Sequence, residues 1–229
     1  MSSAGTDGTD LTTTLTTQGD IVYRDGSGLQ RLAAGTAGQI LQTGGSGANP
    51  SWTTMSSDMV KIVTATGGGT TALALDSCFS ATYENYIIVA SLFSSGGNMG
   101  AYFRLQNSSN TEQQSSYYYI GYQGYRGSSP SSNDNKSGWN TSEISMQENI
   151  NNEGDQFGSF VIHVIKPFVS TCGTNMHFDY FSYDGTYMRT VKLNGAHRVA
   201  QSNAGFRFTS SNSNTFSTSS KVTVYGLKV

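Results

Sequence analysis

Residues 157–183 read FGSFVIHVIKPFVSTCGTNMHFDYFSY and contain two extended segments separated by a turn. In segments 157–165 and 175–183, apolar and polar side chains alternate, which is the pattern of a strand with one buried face. The apolar positions are Phe160, Ile162, Val164, Met176, Phe178 and Tyr180. Pro167 follows the first segment, where the missing N–H of proline removes no hydrogen bond from a sheet. This stretch therefore predicts two strands of an antiparallel sheet.

Similar segments recur from about Met59 to the end of the chain. The candidate strands are 59–65, 71–76, 86–94, 99–106, 117–123, 140–147, 157–165, 175–183, 186–193, 204–209 and 221–228. Most are bounded by clusters of Gly, Asn, Asp or Ser, which are typical of turns. No segment has the sustained 3.6-residue apolar repeat of a helix. The pattern predicts an all-β fold, with an antiparallel, jelly-roll-like β-sandwich over residues 58–229.

Residues 1–57 are rich in Gly, Thr and Ser and contain too few large apolar side chains to bury a core. Residues 1–18 hold only two leucines and predict an extended arm. Residues 20–32 predict a β-hairpin about an Asp-Gly turn, and residues 38–53 predict a second about a glycine-rich turn. Isolated hairpins are marginal in water, so we expect this assembly and attachment arm to pack against neighbouring subunits. The side chains expected to make those contacts are Ile21, Val22, Leu29, Leu32, Ile40, Leu41 and Trp52.

The composition argues against several classes of partner. Charged residues make up 12% of the chain, against roughly 25% in a typical soluble domain. The net charge of −2 comes without the basic stripe of nucleic-acid-binding domains, so we expect no nucleic-acid partner. No run of 18 apolar residues occurs, and MSSAGTDGTD at residues 1–10 lacks a secretion signal. We expect synthesis in a cytoplasm, no membrane insertion, and buried free thiols at Cys78 and Cys172.

The sequence contains no recognisable catalytic or metal-binding motif. His163, His177 and His197 are spaced too far apart for a local metal pair, and we assign them structural roles. A phosphate-binding loop and a nucleophile elbow are both absent. The acidic residues that could form a glycosidase pair are Glu143, Glu148, Glu153 and Asp155. Their Asn- and Gly-rich neighbours indicate a solvated loop, so we predict no enzymatic activity, no cofactor and no metal site.

The tyrosine-rich stretch 117–126, YYYIGYQGYR, has two interpretations. Exposed aromatic rings could stack on sugar faces, but we predict that Tyr118, Ile120 and Tyr122 lie in the core. The following stretch, 124–139, predicts a long polar loop, and long loops on β scaffolds commonly carry binding sites. The candidate receptor-binding residues are Tyr125, Arg126, Asn133, Asp134, Lys136 and Trp139.

Two regions resemble bacteriophage tail-fibre and other virion appendage proteins. Residues 16–32, TTQGDIVYRDGSGLQRL, are followed by GTAGQIL at 35–41 and PSW at 50–52. This order of glycines, Asp-Gly turn, Arg-Leu pair and closing Trp resembles a recurrent element of those proteins. The segments similar to terminal β-domains of tail-fibre-like proteins are FSATYENYIIV at 79–89, FRL at 103–105, YYY at 117–119 and KVTVYGLK at 221–228.

The resemblance implies a non-enzymatic virion protein that forms a homotrimer. The N-terminal arm would attach to another virion protein, and the β-domain would adsorb to a glycan or protein on the host surface. Because the recurrent element begins near Met1, we expect a short tail fibre on the tail. The alternatives are a decoration or head-fibre protein on the capsid surface and, third, a polysaccharide depolymerase.

Overall fold

The computed structural model describes residues 11–126, 132–150, 157–183 and 186–228. Within these ranges the side chains of residues 132, 133, 147–149 and 157 are not described. The chain forms two compact units, Met1–Ser57 and Asp58–Val229.

The first unit contains one helical turn and two separate hairpins. Its elements are α1 (Leu11–Thr14), β1 (Ile21–Arg24), β2 (Leu29–Leu32), β3 (Gln39–Gln42) and β4 (Ser51–Thr54). β1 pairs with β2 and β3 with β4, so both predicted hairpins are confirmed. The prediction of an extended arm is wrong at α1, where the Leu15 amide donates a hydrogen bond to the Leu11 carbonyl at 2.8 Å. Residues 1–10 lie outside the described residues.

One carboxylate organises the first unit. Asp20 accepts hydrogen bonds from the backbone amides of Thr16 at 3.0 Å and Thr17 at 2.8 Å. It also accepts from the Ala34 amide at 3.3 Å and from Arg31 Nε at 2.7 Å. Only 1% of the Asp20 side chain is exposed. The hydrogen bond from Arg31 is the largest of the effects that hold the pKa of Asp20 below its ordinary value of 3.8.

Residues 11–57 of the first unit form no hydrophobic core, because none of their apolar residues is buried. Trp52 is half-buried, and its indole N–H donates to the Ala33 carbonyl at 2.6 Å. The ring lies against Gly35, where an added Cβ would come within 2.7 Å of the indole. Polar contacts and one aromatic ring therefore hold this unit together.

The second unit consists of two antiparallel sheets. Its strands are β5 (Met59–Thr66), β6 (Ala72–Leu75), β7 (Asn85–Leu92), β8 (Met99–Asn107), β9 (Tyr117–Arg126), β10 (Ser132–Thr141), β11 (Ile144–Ile150), β12 (Phe157–Ile165), β13 (Thr174–Tyr183), β14 (Met188–His197), β15 (Asn203–Ser210) and β16 (Lys221–Leu227). The eight-stranded sheet has the order β10-β9-β14-β13-β12-β7-β16-β5, and the four-stranded sheet has the order β11-β8-β15-β6. The all-β, antiparallel prediction is confirmed, and the repeated change of sheet along the chain is consistent with a sandwich.

Aromatic rings from both sheets share one core. The ring centroids of Phe103 and Phe178, one from each sheet, are 5.4 Å apart. The largest fully buried rings belong to Phe79, Tyr86, Phe103, Tyr117, Phe160, Phe178, Phe206, Phe208 and Phe216. The alternating residues predicted to face the core are all buried, namely Phe160, Ile162, Val164, Met176, Phe178 and Tyr180. Burial of each phenylalanine contributes about 1.5–3 kcal/mol, so this unit has a core of its own.

The predicted loop over 124–139 is mostly strand. β9 and β10 form a hairpin, so only a short connection separates them. β10, an edge strand with the sequence SNDNKSGWNT, shows no apolar alternation because none of its described side chains is buried. The predicted strand 140–147 is divided between the end of β10 and the start of β11.

The predicted core face of β9 is also wrong. Ile120 and Tyr122 are exposed and Tyr118 is half-buried, whereas Tyr117 is fully buried. The Tyr117 hydroxyl accepts a hydrogen bond at 2.8 Å from the backbone amide of Leu105 in the other sheet. Because side chains alternate along a strand, burial of Tyr117 places Tyr118, Ile120 and Tyr122 on the outer face of the sheet.

The two cysteines are free, as predicted. Cys78 is buried, and burial raises the pKa of its thiol to about 12. Cys172 is half-buried rather than buried, which corrects the expectation for that residue.

His197 is a buried polar group beside Tyr117. The two ring centroids are 4.9 Å apart, and His197 is only 1% exposed. Burial holds the pKa of His197 below its ordinary value of 6.5. The folded protein therefore keeps this imidazole neutral over a range where the unfolded chain binds a proton.

The Tyr117 hydroxyl provides the first test of the fold. Tyr117→Phe leaves the buried Leu105 N–H without an acceptor, so we expect the free energy of unfolding to fall by about 1–3 kcal/mol. Urea denaturation followed by circular dichroism measures the change. Tyr122→Phe is the matched control, because that ring is exposed on the same strand. Equal stabilities for Tyr117→Phe and the wild-type protein would contradict this account.

His197 provides a pH-dependent test. Because protonation favours the unfolded chain, we expect the free energy of unfolding to decrease as the pH falls below 6.5. His197→Phe keeps an aromatic ring and removes this contribution. Urea denaturation from about pH 7.5 to about pH 5.5 measures the slope. An unaltered slope in His197→Phe would assign the effect to another group.

Candidate functional site

A groove of about 740 Å³ crosses the outer face of the eight-stranded sheet. Its lining residues are Tyr118, Tyr119, Ile120, Ser137, Gly138, Trp139, Ile165, Asn175, His177, Asn194, Gly195 and Ala196. They come from β9, β10, β12, β13 and β14, which are neighbours in this sheet. The volume lies in the range of roughly 300–1,000 Å³ typical of small-ligand sites.

Strand register brings the groove residues together. Trp139 of β10 lies directly opposite Tyr118 of β9. Asn194 of β14 lies between Ile120 of β9 and His177 of β13. Each of these side chains occupies an outward position, because its neighbours along the strand point to the core side.

An aromatic pair forms one end of the groove. The rings of Trp139 and Tyr118 have centroids 5.0 Å apart and planes at 83°. The guanidinium carbon of Arg198 lies over the Tyr118 ring, 4.8 Å from its centroid. These contacts hold Tyr118 in place, while 81% of Trp139 stays exposed. Ile120, which also lines the groove, is 68% exposed, and exposed apolar patches of this kind mark interaction sites.

A polar pair lies beside the aromatic pair. His177 Nδ1 and Asn194 Oδ1 are 2.5 Å apart. An amide oxygen only accepts hydrogen bonds, so the pair requires the His177 tautomer that carries its proton on Nδ1. Asn194 Nδ2 is then a donor and His177 Nε2 an acceptor for a bound molecule. Asn175 lies two residues from His177 on the same face of β13.

The candidates predicted on β10 point in different directions. Trp139 lines the groove, whereas Asp134 and Lys136 alternate with it and point to the opposite face of the strand. Asn133 pairs with Gly124 through its backbone, and its side chain lies outside the described residues.

Tyr125 and Arg126 lie at the far end of β9. Tyr118 and Tyr125 are seven residues apart, about 23 Å along an extended strand. Tyr125 and Arg126 line a separate hollow of about 240 Å³ with Phe181 and Met188. The predicted receptor-binding residues therefore do not form one surface, and Trp139 is the one that lines the groove.

Sequence reasoning missed the polar half of the groove, which consists of Asn175, His177 and Asn194. These residues are far apart in sequence and meet only through the pairing of β13 with β14. The sequence feature that could have revealed them is their position in alternating strands, because a polar residue between two buried residues must point outward.

The outer face of the four-stranded sheet carries a charge cluster. Arg104 and Arg207 lie opposite each other on β8 and β15. Glu112 bridges them, with one oxygen 2.8 Å from Arg104 Nη1 and the other 2.5 Å from Arg207 Nη1. Glu143 pairs with Arg104 Nη2. Without Glu112 the two guanidinium groups would repel each other, so this cluster stabilises the sheet.

The remaining glycosidase candidates give no carboxylate pair to describe. The side chain of Glu148 and the whole of Glu153 and Asp155 lie outside the described residues. Among the residues with described positions, no three His, Cys, Asp or Glu side chains are grouped to hold a metal ion. The only described helix is a single turn, far too short to cross a membrane.

The predicted assembly residues lie on the surface of the first unit. Three of these residues are exposed, namely Leu29, Ile40 and Leu41. The other four are half-buried, namely Ile21, Val22, Leu32 and Trp52. Part of their apolar area is thus uncovered within the unit, most of all at Leu29, Ile40 and Leu41, which are 40%, 45% and 48% exposed.

Comparison with protein-family models, curated proteins and solved structures finds no match for this chain.

Proposed function

We propose that this chain is a non-enzymatic bacteriophage virion protein, a short trimeric tail fibre that binds the host surface. In this proposal Met1–Ser57 assembles and attaches the protein, and Asp58–Val229 presents the binding surface. The alternative is a decoration or head-fibre protein on the capsid, which uses the same arm to bind the shell. The resemblance to virion appendage proteins supports both.

The observation that carries the proposal is the absence of a buried residue in 11–57. A unit with polar contacts and no core gains little from folding alone, because apolar burial is the main favourable contribution to stability. Contact with equivalent units or with another virion protein would cover Leu29, Ile40 and Leu41, which are exposed. The second unit has its own aromatic core and has no such need.

A tail-fibre role favours weak sites in several copies. Three weak sites that engage together can raise the overall avidity by about 10²–10⁴-fold over a single site. In this proposal, the groove on the eight-stranded sheet is the weak binding site that each copy contributes. A depolymerase is less well supported, because Glu143, the one glycosidase candidate with a described side chain, is paired with Arg104.

Removal of the arm tests its assembly role. We expect the full chain to sediment as a trimer and residues 58–229 alone to sediment as a folded monomer. Analytical ultracentrifugation measures the mass, and circular dichroism checks that the fragment keeps its β-structure. A fragment that still trimerises would overturn the assignment of assembly to the arm.

A point variant tests the same role in the full chain. Asp20→Asn removes the charge that Arg31 binds, so we expect the first unit to loosen and the trimer to dissociate. Hydrogen exchange at the Thr16, Thr17 and Ala34 amides reports the loosening, and sedimentation reports the mass. Asp58→Asn, in the other unit, is the control. Because the pKa of Asp20 is lowered, acidification below 3.8 should have the same effect as the variant.

Imaging separates the tail from the head. Gold-labelled antibody against this chain should decorate the tails of intact particles in electron micrographs. Label on the capsid would replace the tail-fibre proposal with the decoration protein, and particles without label would overturn both. Incubation with host polysaccharide should release no new reducing ends, whereas their release would identify a depolymerase.

A further inference from the structure

We propose that the groove on the outer face of the eight-stranded sheet binds a neutral saccharide. Trp139 would be the stacking surface, and Asn175, His177 and Asn194 would bind hydroxyl groups. The inference rests on the proposed function, since it names the class of host ligand that the surface recognises.

The aromatic end of the groove fits the apolar face of a sugar ring. A pyranose presents several C–H groups on one face, and these pack on the electron-rich face of an indole. Trp139 is 81% exposed, and the Tyr118 ring contacts both the Trp139 ring and the guanidinium of Arg198. The Tyr118 ring, held by two contacts beside the stacking surface, loses little conformational freedom when a ligand binds.

The polar end fits the hydroxyl groups of the same ring. A sugar hydroxyl both donates and accepts, so it is best bound by neighbouring donors and acceptors. The hydrogen bond between His177 and Asn194 leaves one donor and one acceptor in a fixed arrangement. Asn175 adds an amide about 6.6 Å along the strand from His177, close to the spacing of groups across one sugar ring.

The charge of the lining selects neutral ligands. None of the residues that line the groove is Asp, Glu, Lys or Arg, and the guanidinium of the neighbouring Arg198 is engaged by the face of the Tyr118 ring. An anionic sugar or a phosphate would require a guanidinium or ammonium group in contact with it. A lipid chain would leave Asn175 and Asn194 without hydrogen-bond partners, which disfavours a purely apolar occupant. Neutral saccharides satisfy both halves of the groove.

Saturation-transfer NMR on the full-length protein tests the proposal. The probes are maltotriose, mannotriose and chitotriose, with polysialic acid and heparin fragments as charged comparisons. We expect at least one neutral probe to bind, with transfer strongest to its ring C–H protons. Trp139→Ala should weaken that binding about tenfold or more, and Asn194→Ala about fivefold. Tyr122→Ala is the matched control, because this exposed residue of β9 lies outside the groove.

Each result decides for or against the groove. Binding of none of the neutral probes, binding of the charged probes alone, or binding unaffected by Trp139→Ala would overturn the proposal. A lower oligomer mass in Trp139→Ala would show that a second copy of the chain occupies the groove instead. If antibody labels the virions but the protein binds no saccharide, this inference is wrong and the proposed function is retained. If the protein binds a saccharide but virions carry no label, the proposed function is wrong and the inference about the groove is retained.

Discussion

The hydrogen bond from the Leu105 amide to the Tyr117 hydroxyl links the two sheets and sets the register of β9. With Tyr117 buried, Tyr119 also points to the core side, where it lies between Gly138 and Gly195 on the adjacent strands. A Cβ at Gly138 would come within 2.3 Å of the Tyr119 ring, so the ring fits only beside a glycine. A slip of one residue would turn every side chain of β9 to the other face. The outward position of Tyr118 depends on this register.

Most strands could be predicted from the sequence because their alternation is strong. β12 and β13 each place three apolar side chains at every second position, and only an extended strand puts these on one face. The hairpins of the first unit followed from their turns, since Asp25 binds the amides of Ser27 and Gly28 within its own loop. Local chemistry of this kind can be read without any knowledge of the tertiary structure.

The groove could not be predicted in the same way. Its residues belong to five strands, and their proximity depends on sheet order, which alternation within a strand does not contain. β10 was missed because an edge strand with no buried face has no alternation to detect. The face of β9 was misjudged because aromatic residues occupy both sides, so hydrophobicity alone could not rank Tyr117 above Tyr118. Tyr117 differs from Tyr118 in that its hydroxyl accepts a hydrogen bond from the buried Leu105 amide, and this contact is not visible in the sequence.

The two units have opposite physical characters, and the proposed function requires this contrast. A unit with no buried apolar residue among its described residues, 11–57, can change its packing when it meets a partner, which suits assembly. A shallow groove on a sheet needs a rigid scaffold, because its few contacts leave little binding energy to order mobile groups. The aromatic core beneath the groove supplies that rigidity. In the proposed function, weak recognition by each rigid domain and joining of several domains by the arm would be complementary, because the joining would make weak recognition sufficient for adhesion.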